Sequence, residues 1–211
     1  GLLEEDFFTA ADGERLMRLR SVSNILERGG TVLGTSRCTE FRTEAASLGG
    51  TVFEDVNYGG GAGRSQAASS GVAVENARVE LFNSSGTFVT STTTNGSGDY
   101  SFAGLATGDY SVRVVNSSVR SSRTGGAACA TCLPVQTWRT DATSGAAVAV
   151  DDRVGGENTQ LLDAGNGSTT LAALTTATTT AQSITAVTLG ASPITGLDFG
   201  YNFDTIVNAN D

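Results

Sequence analysis

Apolar and polar residues alternate along residues 98–115, with Tyr100 and Phe102 in the first half of the run and Tyr110, Val112 and Val114 in the second. A period of two marks half-buried strands. Gly104 and Gly108 bracket the stretch between them, where a turn needing positive φ costs least. Leu105 lies inside that turn and is placed to plug the end of a core. The pattern predicts two strands meeting at the corner of a β-sandwich.

Similar runs flank it. Residues 50–58 read as a strand opening into the glycine-rich loop 59–63, and residues 71–82 as a second strand with Val79 and Leu81 on one face. A turn at 83–86 leads to a return strand at 88–94. Residues 184–189 and 194–203 predict a hairpin. In its last strand Leu197, Phe199, Tyr201 and Phe203 alternate with polar residues or glycine, so one face must find a core. Residues 116–182 are longer than a loop in a compact domain. Within them 135–138 and 146–150 fit short strands, Trp138 reads as a packing residue, and the Thr-rich stretch 168–181 suits an exposed arm or edge.

Residues 1–48 differ in kind. They hold six of the 13 arginines and the single methionine. Leu16, Leu19, Val22 and Leu26, with Ile25 alongside, recur at helical spacing, and Thr9 or Asp12 can cap the start. Gly29 and Gly30 stop that helix, and residues 31–33 read as a short strand. The chain thus divides into a helix–strand arm, 1–48, and a mainly β, antiparallel sandwich, 49–211, with an insertion at about 116–182. It begins at Gly1 without methionine, which fits removal of a leader peptide, although no leader is visible.

Composition narrows the chemistry. With 27 glycines and 2 prolines the chain favours short strands joined by turns. A net charge of −9 argues against nucleic acid and anionic membranes, and no stretch approaches the about 20 apolar residues of a membrane span. There is no histidine, which removes Ser-His catalysis and His-ligated metals. All cationic side chains are arginine, which removes Schiff-base lysines and lysine isopeptide bonds. Of the three cysteines, Cys129 and Cys132 have CxxC spacing in a small-residue loop and read as a disulfide, leaving Cys38 unpaired or intermolecular. A redox role would need a helix N-terminus beside the thiol. A zinc site would need about four ligands, recruiting Cys38 and a carboxylate. Acids are plentiful, but nothing in the pattern fixes two of them across a cleft.

Two resemblances add to this. Residues 21–42, with Gly-Gly-Thr-Val-Leu-Gly-Thr-Ser-Arg at 29–37, resemble a stretch of 6-phosphofructokinase, as do residues 1–6. The resemblance implies that Arg37 matches an arginine contacting nucleotide phosphates. That family's Gly-Gly-Asp-Gly-Ser loop and Thr-Ile-Asp aspartate are missing here, so kinase activity is not expected. Residues 49–115 resemble the prealbumin-like B-type repeats of bacterial surface adhesins and the carboxypeptidase regulatory-like domain. The shared pattern is Gly-x-Val-Phe-x-Asp-x-Asn, then Gly-Val-x-Val-x-x-Ala-x-Val-x-Leu, then Gly-x-Tyr-x-Phe-x-Gly-Leu-x-x-Gly-x-Tyr-x-Val. It implies an extracellular spacer, stalk or subunit without catalysis.

Those adhesin repeats bind calcium through Asp-x-Asn-x-Asp-Gly loops. Asp55 and Asn57 begin like one, but Gly59 stands at the fifth position and Gln66 at the twelfth. Asp99 and Asp109 can add ligands if the turns converge; otherwise all of these are turn residues. Asp151 and Asp152 near Glu157 form a second acidic cluster. Asn-x-Ser sequons at Asn83, Asn95, Asn116 and Asn166 all fall in expected turns or loops, as accessible positions.

The expectation is a non-catalytic structural module of a cell-surface or secreted assembly. It has no cofactor, calcium being the one ion admitted, and its partners are copies of itself or neighbouring surface domains. A filament joined by strand exchange follows if the terminal strand, with Leu197, Phe199, Tyr201 and Phe203, is donated between copies. The alternatives are nucleotide binding through Arg37 and carbohydrate binding through Trp138 and Tyr58.

Overall fold

A computed structural model describes residues 46–59, 63–121, 134–140, 158 and 160–203, together with the backbone of 7–9, 15–17 and 153–154. The chain divides into two compact units, 1–43 and 44–211. In the first, β1 (Phe7–Thr9) pairs antiparallel with β2 (Arg15–Met17), Phe8 opposite Leu16. Helical spacing predicted a helix through Leu16, and Thr9 or Asp12 as its cap. The extended backbone at Leu16 and Thr9 corrects that. Asp12-Gly13, a dipeptide that favours hairpins, lies in sequence between two apolar runs, and this local signal outweighs a spacing shared by few residues. Leu19, Val22, Ile25, Leu26 and residues 31–33 lie outside the described residues.

The second unit begins with β3 (Ala46–Glu54), the one-turn helix α1 (Gln66–Ser69), β4 (Val72–Ala73), β5 (Arg78–Asn83), β6 (Phe88–Thr93), β7 (Asp99–Leu105) and β8 (Gly108–Val114). It continues with β9 (Val135–Arg139), β10 (Arg153–Val154), β11 (Leu162–Asp163), β12 (Thr179–Thr180), β13 (Ile184–Leu189) and β14 (Phe199–Asn202). Sheet I has the order β10-β9-β14-β3-β4, with β7 also on β3, and sheet II the order β13-β8-β5-β6. The pairing is antiparallel except for β3–β14 and the short β11–β12 pair.

The two sheets enclose one core. Leu48, Val52, Tyr100, Phe102, Leu197, Phe199 and Tyr201 come from sheet I and its connections, and Val79, Leu81, Val112, Val114, Val187 and Leu189 from sheet II. Each such side chain, fully buried, stabilises by about 2 kcal/mol. The corner predicted at 98–115 is present. β7 joins sheet I and β8 joins sheet II, with Gly104 (φ 73) late in β7 and Gly108 (φ 149) opening β8; Leu105, expected inside the turn, is the last residue of β7 and packs against the core.

Three expectations change. The first strand starts at Ala46 rather than at Gly50. The run 71–82 is broken in two at Glu75 and Asn76, where Asn76 takes φ 62, a conformation asparagine tolerates better than most residues. Residues 184–203 are not a hairpin: β13 pairs with β8 in sheet II, while β14 crosses to lie between β3 and β9 in sheet I. Alternation reveals a strand's faces but not its partner, and β14, buried at all four positions, fits a central place. Residues 168–181, read as an exposed arm or edge, are largely exposed, and they are fastened at the edge of sheet II, where Thr169 O accepts from Phe88 N.

Candidate functional site

The first notable constellation is where the unit's first and last strands meet. β14 runs parallel to the second half of β3, with Val52 opposite Phe199 and Glu54 opposite Tyr201. The contact continues backwards along β3. Gly49 N donates to Ile194 O (2.9 Å), Ile194 N to Ser47 O (2.9 Å) and Leu197 N to Gly49 O (3.1 Å). Thr51 N donates to Asp198 Oδ1 (2.9 Å). Beyond the strand, Asp55 N donates to Tyr201 O and Asn202 Nδ2 to Asp55 O, each at 2.7 Å. The approach is close: a Cβ on Gly50 would lie 2.1 Å from the Leu197 carbonyl oxygen.

Charge is enclosed at this junction. Buried Tyr100 donates its hydroxyl to Leu197 O at 2.6 Å. Burial drives its pKa well above the ordinary value, and the nearby Asp198 and Tyr201 add to the shift. The Asp198 carboxyl is also pushed up, first by burial and then by neighbouring Asp99, with the Thr51 N–H opposing. Thr51 Oγ1 in turn donates to Asp99 Oδ1 at 2.9 Å.

The second constellation lies on the outer face of sheet II. In β5 and β8 the core takes Val79, Leu81, Val112 and Val114, so the paired Glu80 and Arg113 face away from it. Both are nonetheless fully buried, because residues 160–183 cover them. Arg113 Nη1 donates to Glu80 Oε2 (2.9 Å) and Gly165 O (3.0 Å). Its Nη2 donates to Asp163 Oδ1 (2.9 Å) and to Ala164 O. Glu80 Oε1 accepts from Arg78 Nε (2.8 Å) and Gly167 N (2.7 Å). Asp163 also accepts from Asn116 N (2.8 Å) and Gln182 N (2.9 Å). Two arginines and two carboxylates thus form a neutral cluster. Burial raises the Asp163 pKa, with Arg113 the main opposing influence.

The expected calcium residues do not converge. Asp55 is buried beyond the end of β3 and meets Arg64 at 3.4 Å, and Asn57 donates to Ser69 O. Asp99 is opposite Thr51, four residues short of Asp55 and so about 13 Å along an extended chain. Among the described residues no group of three or more His, Cys, Asp or Glu is placed to hold a metal. Leu197, Phe199 and Tyr201 are buried in the chain's own core, and Phe203 packs against it. Trp138 is half-buried opposite Gly200, with Nε1 donating to Thr140 Oγ1, and half-buried Tyr58 donates its N–H to Asp55 O. Asn95 and Asn166 are exposed and Asn83 half-exposed, but Asn116 is 2% exposed, which corrects its reading as accessible. Its Oδ1 accepts from Ser183 Oγ in the covering segment. Arg37, Cys38, Cys129, Cys132, Asp151, Asp152 and Glu157 lie outside the described residues.

Sequence reasoning missed Glu80, Arg113 and Asp163. Charges on the outward positions of alternating strands read as solvated. The one available signal was an excursion at 116–182 too long to be a plain connection.

A family model described as the SdrD B-like domain matches residues 46–189, from the start of β3 to the end of β13. The chain belongs to the SdrD B-like domain family. SdrD B-like domains are prealbumin-like B repeats of bacterial surface proteins, and the family is one of non-enzymatic structural modules. An ATP-dependent 6-phosphofructokinase of Clostridioides difficile (strain 630) is 50% identical over 48 residues, 23% of this chain and 13% of that enzyme. The chain therefore spans only a small part of that relative's length. Among solved structures, GBS52, the minor pilin in Streptococcus agalactiae, aligns with 78% of this SdrD B-like chain and 98% of its own. It is 13% identical, with a TM-score of 0.25. Among the described residues of this SdrD B-like domain no helix is long and apolar enough to cross a membrane.

Proposed function

We propose that this SdrD B-like chain is a non-catalytic, extracellular spacer that bears tension through the β3–β14 junction. The observation that carries this reading is the parallel pairing of the first and last strands. The chain enters β3 at one end of the junction and leaves β14 at the other. Pulling on the two ends slides one strand along the other, so the rungs from Ser47 to Asn202 resist together instead of opening one by one. Buried Leu197, Phe199 and Tyr201 add apolar contact that must also shear. Pulling single molecules from handles at both ends tests it. The expected result is one high-force event for the β-unit, falling markedly in Gly50→Ala; equal forces in both proteins, or easy extension of the native chain, would sink it.

A second reading is self-assembly by exchange of β14 between copies. It is favoured by the exposed Gly190-Ala191-Ser192-Pro193 connection, which leads from sheet II towards the slot between β3 and β9. A terminal strand donated head-to-tail gives open fibres. Sedimentation velocity with negative-stain imaging of the chain, intact and lacking residues 1–43, separates the two. Fibres support exchange, and compact monomers in both samples leave the spacer alone.

A further inference from the structure

We propose that residues 160–183 form a strap that opens and recloses as one unit over the outer face of sheet II while the sandwich beneath stays folded. Three observations lead there. First, the strap contributes nothing to the main core cluster, and among its described residues Ala164 is the only buried apolar one. Segments with few buried apolar contacts open at lower free energy than the strands they cover.

Second, its fastenings are polar: Asp163 accepts from Asn116 N, Ser183 Oγ donates to Asn116 Oδ1 and Ser183 O accepts from Val114 N (3.1 Å). Asp163, Ala164 and Gly165 sit on the Arg113 guanidinium, and Gly167 N on Glu80. Thr169 O accepts from Phe88 N (2.7 Å), and Leu171 N donates to Gly86 O (2.8 Å). When the strap lifts, Arg113 and Arg78 keep their pairing with Glu80 on the sheet, and the freed Asp163 meets water. No charge is left buried and alone.

Third, the strap is bound to itself. Leu162 N and Ala164 N donate to Thr178 O and Thr180 O. Gln182 Nε2 donates to Leu161 O, and the hydroxyl pairs Thr175–Thr180 and Thr176–Thr179 close its bend. A segment cross-tied in this way moves together. Its lifting uncovers Phe82, which is fully buried and packs edge-on against Phe88 at 5.7 Å, and frees the Phe88 N–H at the outer edge of β6.

Hydrogen–deuterium exchange of the full chain, read by mass spectrometry, tests this. Peptides holding the Ala164, Gly167, Leu171 and Gln182 amides are expected to exchange with one shared opening rate, at least about tenfold faster than peptides from β5 and β8. Gly167→Ala is the variant of choice, since its Cβ would sit 2.8 Å from both Glu80 Oε2 and Phe82 Cζ. It is expected to speed exchange across the whole strap and, apart from the Val114 amide that donates to Ser183 O, to leave β3, β5, β8 and β14 unchanged. The proposal is overturned if strap and sandwich lose protection together in either protein, or if the strap amides exchange at unrelated rates.

Discussion

Tyr100 shows how one buried group links packing to pH. Its hydroxyl satisfies the Leu197 carbonyl at the β3–β14 junction, so Tyr100→Phe is expected to cost about 1 to 2 kcal/mol near neutral pH. The folded phenol's pKa lies well above 10.0. Its contribution is therefore complete below pH 10.0 and is lost as pH climbs from there towards the folded value. Urea unfolding against pH should show the gap between the two proteins closing and then reversing on the alkaline side. Asp198 has the same sign of shift but titrates in acid. Its folded pKa lies above 3.8, so its contribution is most favourable below that value and least favourable above the folded one. Asp198→Asn keeps an acceptor for the Thr51 N–H. It is expected to be as stable as the native chain or more so at neutral pH, with any advantage vanishing as pH falls to about 4. A variant clearly destabilised at neutral pH would contradict this.

Elements were legible to the degree that their signals were local. The β7–β8 corner could be read because alternation and two flanking glycines stand within one short run. β14's faces could be read, but not its position between β3 and β9, since that choice depends on β3, about 150 residues away in sequence. Glu80 and Arg113 were visible only as outward charges; what buries them comes from another part of the chain. The cluster they form has a testable asymmetry. Arg113→Met leaves Glu80 and Asp163 without their shared guanidinium and is expected to cost about 3 to 5 kcal/mol. Adding Glu80→Leu should recover part of that loss in a double-mutant cycle, because the two effects are coupled rather than additive. At the junction, Gly50→Ala forces a Cβ to 2.1 Å from the Leu197 carbonyl oxygen. Chemical denaturation should register a loss of about 2 to 3 kcal/mol.

At the scale of the molecule, the mainly β class and the surface-repeat family were both readable from residues 49–115, whose turn glycines and alternating strands lie close together in sequence. The arm was misread at Leu16 because four apolar residues at helical spacing are weak support against a hairpin dipeptide. The strap escaped notice because its function is topological: its threonines are unremarkable until the face beneath them is known. That topology gives the molecule an internal timer. Asn116 is a sequon that the closing strap seals, its side chain held by Ser183, whereas Asn95 and Asn166 stay open to solvent. Made in a glycosylating cell, the chain should carry sugar at Asn95 and Asn166 regardless of how fast it folds. Asn116 can be modified only while the strap is up, before it first comes down or during a later opening, and a glycan there holds it up. The fraction of molecules modified at Asn116 therefore records how often the enzyme met the strap open.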